Sequence, residues 1–191
     1  MYAMKAETPP PRALVPFADG FEEVEAFAIV DVLRRGGVEV VTAALGPKPS
    51  ATSARGVVVS TDAVFADALE NEYAAIILPG GGEGTKNLKE SEDLLERLRQ
   101  QKGMGGLVCA ICAAPTVLDA AGVIDEEEVT CYPSCRKELG RRVARAPVVA
   151  DGQIITGTGP GTALLFALAV LAHLKGDRIA HGVASGMLVD F

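Results

Sequence analysis

This sequence has no tryptophan, only two histidines, fewer basic than acidic residues and no long apolar run. Its 18 Lys+Arg face 25 Asp+Glu, a formal net charge of -7. That deficit argues against nucleic-acid binding through phosphate neutralisation. The longest apolar run, Ala163 to Leu174, is far short of the ~20 residues that cross a bilayer and reads as a buried core helix. Only two histidines, His173 and His181, are present, both late in the chain. The opening MYAMKAETPPPR lacks the apolar stretch of a secretory signal. Residues 1–11, ending in three successive prolines, are expected to form a flexible tail ahead of one domain over 12–191. Four cysteines without an export signal fit a reducing, cytoplasmic setting, where a Cys is buried, metal-bound or reactive rather than disulfide-paired. No internal repeat and no low-complexity linker interrupts the chain.

What is present describes a globular α/β chain. Of 191 residues, 49% are hydrophobic and 23% charged, which excludes a disordered or collagen-like polymer and suits a single domain. ALVPFA (13–18), VEVVTAAL (38–45), AAIILP (74–79) and GLVCAI (106–111) are continuous apolar runs of strand length. Continuous rather than alternating apolarity predicts burial on both faces, as in a parallel sheet covered by helices. Helical stretches lie between them: 22–35, closed by Gly36-Gly37, and 91–101, begun by Ser91 as N-cap and closed by Gly103. Further helices are predicted over 114–121 and 162–176, and extra strands over 57–60, 129–132 and 147–156, the last with a hairpin turn at Asp151-Gly152.

Ligands of such sheets sit beyond the carboxyl ends of the strands, and three of those ends carry unusual residues. In GLVCAI-Cys112-AAPTVL a strand runs straight into a helix, with alanines at 110 and 114. The pattern resembles a nucleophile elbow, whose sharp turn tolerates only small neighbours. A thiol at a helix N-terminus is expected to have a lowered pKa, and Pro115 suits the first helical turn. The alternative is that Cys112 is a small buried hydrophobe. Cys109 and Cys112 also form a C-x-x-C, with Cys131 and Cys135 further on. Cys109, however, lies inside an apolar strand, which carries it away from Cys112. Zinc or dithiol chemistry is therefore disfavoured, and no metal site is expected.

The second strand end, AAIILPGGGEGTKNL, places Gly80-Gly81-Gly82 where backbone can approach a ligand and N–H groups can form an anion nest or oxyanion hole. It lacks the spacing of a nucleotide-binding loop and otherwise reads as a tight connection. At the third end, Asp19-Gly20 turns into a helix that opens with Glu22, Glu23 and Glu25. Acids there ordinarily satisfy the helix dipole. Glu25, however, shares a face with Phe21, Ala28, Ile29 and Val32 and should point inward. A carboxyl buried near a thiol should keep its proton and donate a hydrogen bond.

These motifs resemble the DJ-1/ThiJ/PfpI superfamily, in its DJ-1/YajL branch. The resemblance runs from Arg12 onward: RALVPFADGFEEVEAFAIVDVLRRGG, Arg55-Gly56-Val57, ILPGG, AICAAPTVL and TGPGTALLFALAVL. It implies a three-layer, flavodoxin-like sandwich and a homodimer, with helix 22–35 and the Gly159-Pro160-Gly161 turn as interface. By the same resemblance Cys112 is the reactive, oxidation-sensitive cysteine and Glu25 its protonated partner. Gly80 and Gly81 would line the site, with Ala113 donating a neighbouring N–H. One departure stands out: where some relatives carry T-H-P, this chain has Thr130-Cys131-Tyr132-Pro133. Tyr132 replaces that histidine as a pocket wall, and a Cys/His/Asp hydrolase loses its general base.

The resemblance implies cofactor-free chemistry on small reactive dicarbonyls: methylglyoxal converted to lactate without glutathione, or removal of early glycation adducts from proteins. The alternative is a non-enzymatic redox sensor or chaperone acting through oxidation of Cys112. Neither nucleic acid nor membrane is expected as a partner.

Overall fold

The computed structural model describes residues 9–140 and 143–191. Most of the expected N-terminal tail therefore lies outside the described residues. The strands are β1 (Arg12–Phe17), β2 (Glu39–Ala44), β3 (Ser50–Thr52), β4 (Val58–Ser60), β5 (Ala63–Val64), β6 (Ala75–Leu78), β7 (Leu107–Ile111), β8 (Val148–Asp151) and β9 (Ile154–Gly157). The helices are α1 (Glu23–Arg35), α2 (Phe65–Ala68), α3 (Gly82–Glu90), α4 (Glu92–Gly103), α5 (Pro115–Ala120), α6 (Arg136–Leu139), α7 (Ala163–Lys175) and α8 (Asp177–Gly186).

Seven strands form one sheet in the order β5-β2-β1-β6-β7-β9-β8, while β3 and β4 pair separately as a small antiparallel ribbon. All pairings in the large sheet are parallel except β8 with β9. Alternate residues of each central strand feed opposite cores. Val15, Phe17, Ile77, Cys109 and Ile111 pack with α1, α7 and α8. Leu14, Ile76, Leu78, Val108 and Ala110 pack with α2, α4 and α5. Burial on both faces is why these strands read as unbroken apolar runs. The fold is the expected three-layer, flavodoxin-like α/β sandwich.

Local signals match the helix ends. Ser91 caps α4, its hydroxyl accepting from Leu94 N–H at 3.3 Å, and α7 stops at Gly176, whose φ is 86°. The predicted hairpin turn joins β8 to β9, with Gly152 at φ 57°.

Three features depart from the sequence-based expectation. Residues 129–132 form no ladder strand; only an isolated bridge links Val129 to Val143. The N–H of Thr130 instead donates to Thr156 Oγ1 at 2.9 Å, and that of Tyr132 to the Cys112 carbonyl at 2.8 Å. Pro133 then begins a 3-10 turn, Pro133–Cys135, and a proline cannot extend a ladder. Second, the third glycine of the triplet opens α3 rather than a loop. Third, α8 is present although no helix was expected there. Among the described residues, no helix is long and apolar enough to cross a membrane.

The sheet order reverses between β1 and β6: the chain leaves β1 for β2 on one side and enters β6, β7 and β9 on the other. Such a switch point opens a crevice at the strand ends. Here the ends of β1, β6 and β7 lie side by side. Their loops pack backbone to backbone, and a β-carbon on Gly84 would lie 2.8 Å from Phe21 N and 2.9 Å from Gly20 C. Helix propensity alone would make Gly84→Ala stabilising by about 1 kcal/mol. Both contacts are under 3.0 Å and on backbone that cannot swing aside, which puts the overpacking cost toward the upper end of about 1–3 kcal/mol and above that gain. Chemical denaturation should therefore find Gly84→Ala less stable than the wild type.

Candidate active site

Each of the three loops at the switch point contributes one part. After β1, Phe21 N–H returns to the Ala18 carbonyl at 3.0 Å and α1 begins. Glu22 is its N-cap, a carboxylate accepting from Glu25 N–H at 2.8 Å where Ser, Thr, Asp or Asn is usual. Glu23 accepts from Ser53 Oγ at 2.5 Å and Arg55 N–H at 2.7 Å, tying the β3–β4 ribbon to the helix. Those bonds hold its carboxyl below the usual range, Ser53 contributing most. Glu25 is fully buried, as its helical face requires.

After β6 the chain passes directly beneath Glu25. Gly80 N–H donates to Glu25 Oε2 at 2.7 Å. A β-carbon on Gly80 would lie 2.7 Å from that oxygen and 2.7 Å from Cys112 Cβ, so no larger residue fits. Gly81 adopts φ 103° and caps α3; a β-carbon there would lie 2.2 Å from the Gly20 carbonyl oxygen.

After β7, Cys112 takes φ 65°, a left-handed conformation rare for a residue with a β-carbon. Strain of this kind costs about 1–3 kcal/mol and persists only where the surroundings hold it. Here Cys112 N–H donates to the Gly157 carbonyl at 2.9 Å, and the Cys112 carbonyl accepts from Tyr132 N–H at 2.8 Å. Ala114 N–H turns back to Ile111, and Thr116 donates through both N–H and Oγ1 to the Ala113 carbonyl. The result is the elbow that the small residues around Cys112 predicted.

The structure thus brings Cys112, Glu25, Gly80, Gly81 and Ala113 together. The N–H groups of Ala113 and Gly81 turn toward the Cys112 sulfur, whereas that of Gly80 is already committed to Glu25. Tyr132 stands at the rim, 45% exposed, its backbone joined to Cys112 and its ring across Gly159. Cys109 is fully buried in β7, and burial pushes its thiol up. Among the described residues, no group of three or more His, Cys, Asp or Glu could hold a metal ion.

Burial raises Glu25 to about 7, opposed by the Gly80 hydrogen bond and the Cys112 thiol and assisted by the Glu22 charge. Its Oε1 is buried without a hydrogen-bond partner, which leaves that oxygen available to a proton or a ligand. The lowered pKa expected for Cys112 is not found. Burial first, and then the neighbouring Glu25 carboxylate, push the thiol up, outweighing the Ala113 and Gly81 N–H groups. The helix that was to supply a dipole has only six residues and starts at Pro115, three residues beyond the sulfur. Cys112 and Glu25 titrate as a pair, and a proton on Glu25 removes the charge that opposes the thiolate.

Sequence reasoning missed the cap at Glu22, the commitment of the Gly80 N–H and the Thr156–Thr130 link that sets Tyr132. The acidic triplet itself was the available signal for the first.

A family model described as the DJ-1/PfpI family matches residues 11–173. The chain is 40% identical over 182 residues to Protein dj-1beta of Drosophila melanogaster, covering 94% of this chain and 97% of that one. It is 37% identical over 160 residues to a Caenorhabditis elegans protein named glutathione-independent glyoxalase DJR-1.2, covering 82% and 84%. Among solved structures, that of oxidized Toxoplasma gondii DJ-1 superposes with a TM-score of 0.92 at 32% identity, covering 95% of this chain and 100% of that one.

The raised Glu25 gives stability a defined pH dependence. A carboxyl near 4.5 when unfolded and about 7 when folded stabilises the fold fully below pH 4.5 and loses that contribution as pH rises through 7. The loss is on the order of 3 kcal/mol. Thermal melts of the wild type and Glu25→Gln from pH 4.5 to 8 should show the wild type falling relative to the variant. Parallel curves would contradict the buried, protonated carboxyl.

Proposed function

Because this chain belongs to the DJ-1/PfpI family, we propose that it converts small reactive dicarbonyls such as methylglyoxal to hydroxy acids, using Cys112 and Glu25 and no glutathione. The observation that carries this reading is the buried carboxyl raised to about 7, with one unpartnered oxygen, coupled to a thiol on a strained elbow. An acid–base group is most effective when its pKa lies near the working pH. The name of the nematode relative points the same way.

In the proposed reaction the Cys112 sulfur adds to the aldehyde carbon, and the carbonyl oxygen takes a proton from Glu25, giving a hemithioacetal. The Glu25 carboxylate then removes the hydrogen from that carbon as a proton and returns it to the neighbouring carbon as the electron pair shifts, while the hemithioacetal hydroxyl passes its proton to the neighbouring oxygen. The product is a thioester, and water hydrolyses it to lactate and free thiol, so the sequence needs no external oxidant or reductant. Gly81 and Ala113 N–H groups stabilise the thiolate, and Tyr132 shapes the mouth. Early glycation adducts of proteins, hemithioacetal-like or aminocarbinol in character, are a second substrate class for the same chemistry.

A second reading, redox sensing by Cys112, is favoured by the same two N–H groups, which could hold an oxidised sulfur; a similar solved structure is of an oxidized DJ-1. Chaperone activity would follow from that state. We further propose a homodimer. Val24 and Phe27 of α1 and Leu164, just past the Gly159-Pro160-Gly161 turn, are exposed apolar residues at the expected interface. Light scattering at micromolar concentration should give about twice 19.8 kDa, and Phe27→Arg should lower it; a wild-type monomer would overturn the dimer.

Purified protein should turn over methylglyoxal without glutathione. Cys112→Ala should abolish turnover, Glu25→Gln should reduce it at least ~100-fold while the fold is kept, and Cys109→Ala should retain most of it. Peroxide sensitivity of Cys112 without any turnover would favour the sensor.

A further inference from the structure

Cys131 and Cys135 take no part in the site described above, yet the structure sets them around one atom. The carbonyl oxygen of Tyr132 accepts the Cys131 thiol at 3.3 Å and the Cys135 N–H at 2.9 Å. The 3-10 turn Pro133–Cys135 thus turns the backbone of Cys135 back toward Tyr132, while the Cys135 sulfur lies 4.0 Å from the Ser134 hydroxyl. Cys131 belongs to the apolar cluster against which Cys135 packs, and the Cys131 thiol feels the charge of Cys135. Cys112 packs in the cluster on the opposite face of the sheet, which separates it from this pair.

The two thiols differ in access. Cys131 is fully buried and Cys135 half-buried. Burial, and then the neighbouring Cys135, lift the Cys131 thiol to about 11, so it is the poorer first target for an oxidant. A half-buried thiol beside a buried one, four residues apart across a turn, is an arrangement in which the first is attacked and the second resolves it.

We propose that Cys131 and Cys135 form an oxidisable dithiol: a hydroperoxide acts on Cys135, and Cys131 closes a disulfide across the turn. In the first step the O–O bond breaks as the Cys135 sulfur takes a hydroxyl, releasing water or an alcohol. The Cys131 sulfur then attacks the Cys135 sulfur. The S–S bond forms, the S–O bond breaks, and hydroxide leaves with the Cys131 proton as water. Two thiols lose one electron each and the hydroperoxide gains both.

Closure removes the thiol proton that Cys131 donates to the Tyr132 carbonyl and fixes the turn beginning at that residue. Tyr132 N–H holds the strained Cys112 carbonyl, so the modification sits one residue from the site's rim without using the Cys112 sulfur.

The test uses the full chain carrying Cys112→Ser, treated with hydrogen peroxide and then alkylated. Cleavage after acidic residues separates 129–138 from the segment carrying position 112, since Glu126, Glu127, Glu128 and Glu138 flank it. The expected result is loss of two hydrogens on the 129–138 peptide, reversed by dithiothreitol and abolished by Cys135→Ser. If the Cys112→Ser chain does not fold, the same peptide from wild-type protein gives the same readout. Cys135 reaching sulfinic acid while Cys131 remains alkylatable, or a peptide that stays unmodified under peroxide, would overturn the proposal. The outcome is independent of dicarbonyl turnover, so it stands or falls apart from the proposed reaction.

Discussion

The backbone at Gly80 is the contact on which the site depends. It passes between the Glu25 and Cys112 side chains, giving its N–H to Glu25 Oε2 and leaving no room for a β-carbon against Cys112. Because β1, β6 and β7 are adjacent, the loops after them meet there. Gly20, Gly81 and Gly84 let those loops touch through backbone atoms. Close approach at this point fixes the separation of acid and thiol more rigidly than flexible side chains could.

That proximity has a cost which the surroundings offset. A buried carboxyl beside a buried thiol disfavours a charge on either, and each, once ionised, raises the cost of ionising the other. The strain at Cys112, about 1–3 kcal/mol, is held by bonds at both ends of the residue, to Gly157 and from Tyr132. Tyr132 is in turn placed by the neighbouring Thr130, whose N–H rests on buried Thr156 and whose hydroxyl donates to the Ala144 and Ala146 carbonyls. A segment with too few ladder bonds to be a strand thus acts as the brace of the elbow.

How much could be read in advance varied with the kind of signal. The central strands, α1, α4 and α7 were legible because burial and capping leave marks in composition: unbroken apolar runs, Ser91, Gly176. Glu25 was legible because a charged residue on an apolar helical face contradicts its surroundings. Helix α3 was not, since GEGTKNLKE carries one large apolar residue, Leu88, and its first turn holds Gly82 and Gly84 directly after Gly80 and Gly81. The strand expected over 129–132 failed because β-propensity cannot reveal that its N–H groups are claimed by a threonine side chain and the Cys112 carbonyl.

The sequence by itself determined which layers form and which residues to seek at the strand ends. Periodicity and residue type are local properties, and they suffice to put Cys112 at a strand end and Glu25 on a buried face. Only the tertiary structure decided the protonation logic between them. The pKa of Cys112 was expected to fall because a helix begins nearby, yet it rises, because burial and a carboxylate on helix α1, 87 residues earlier in the chain, outweigh two backbone donors. Electrostatic energy depends on separation and dielectric in space, and neither is encoded by neighbours along the chain.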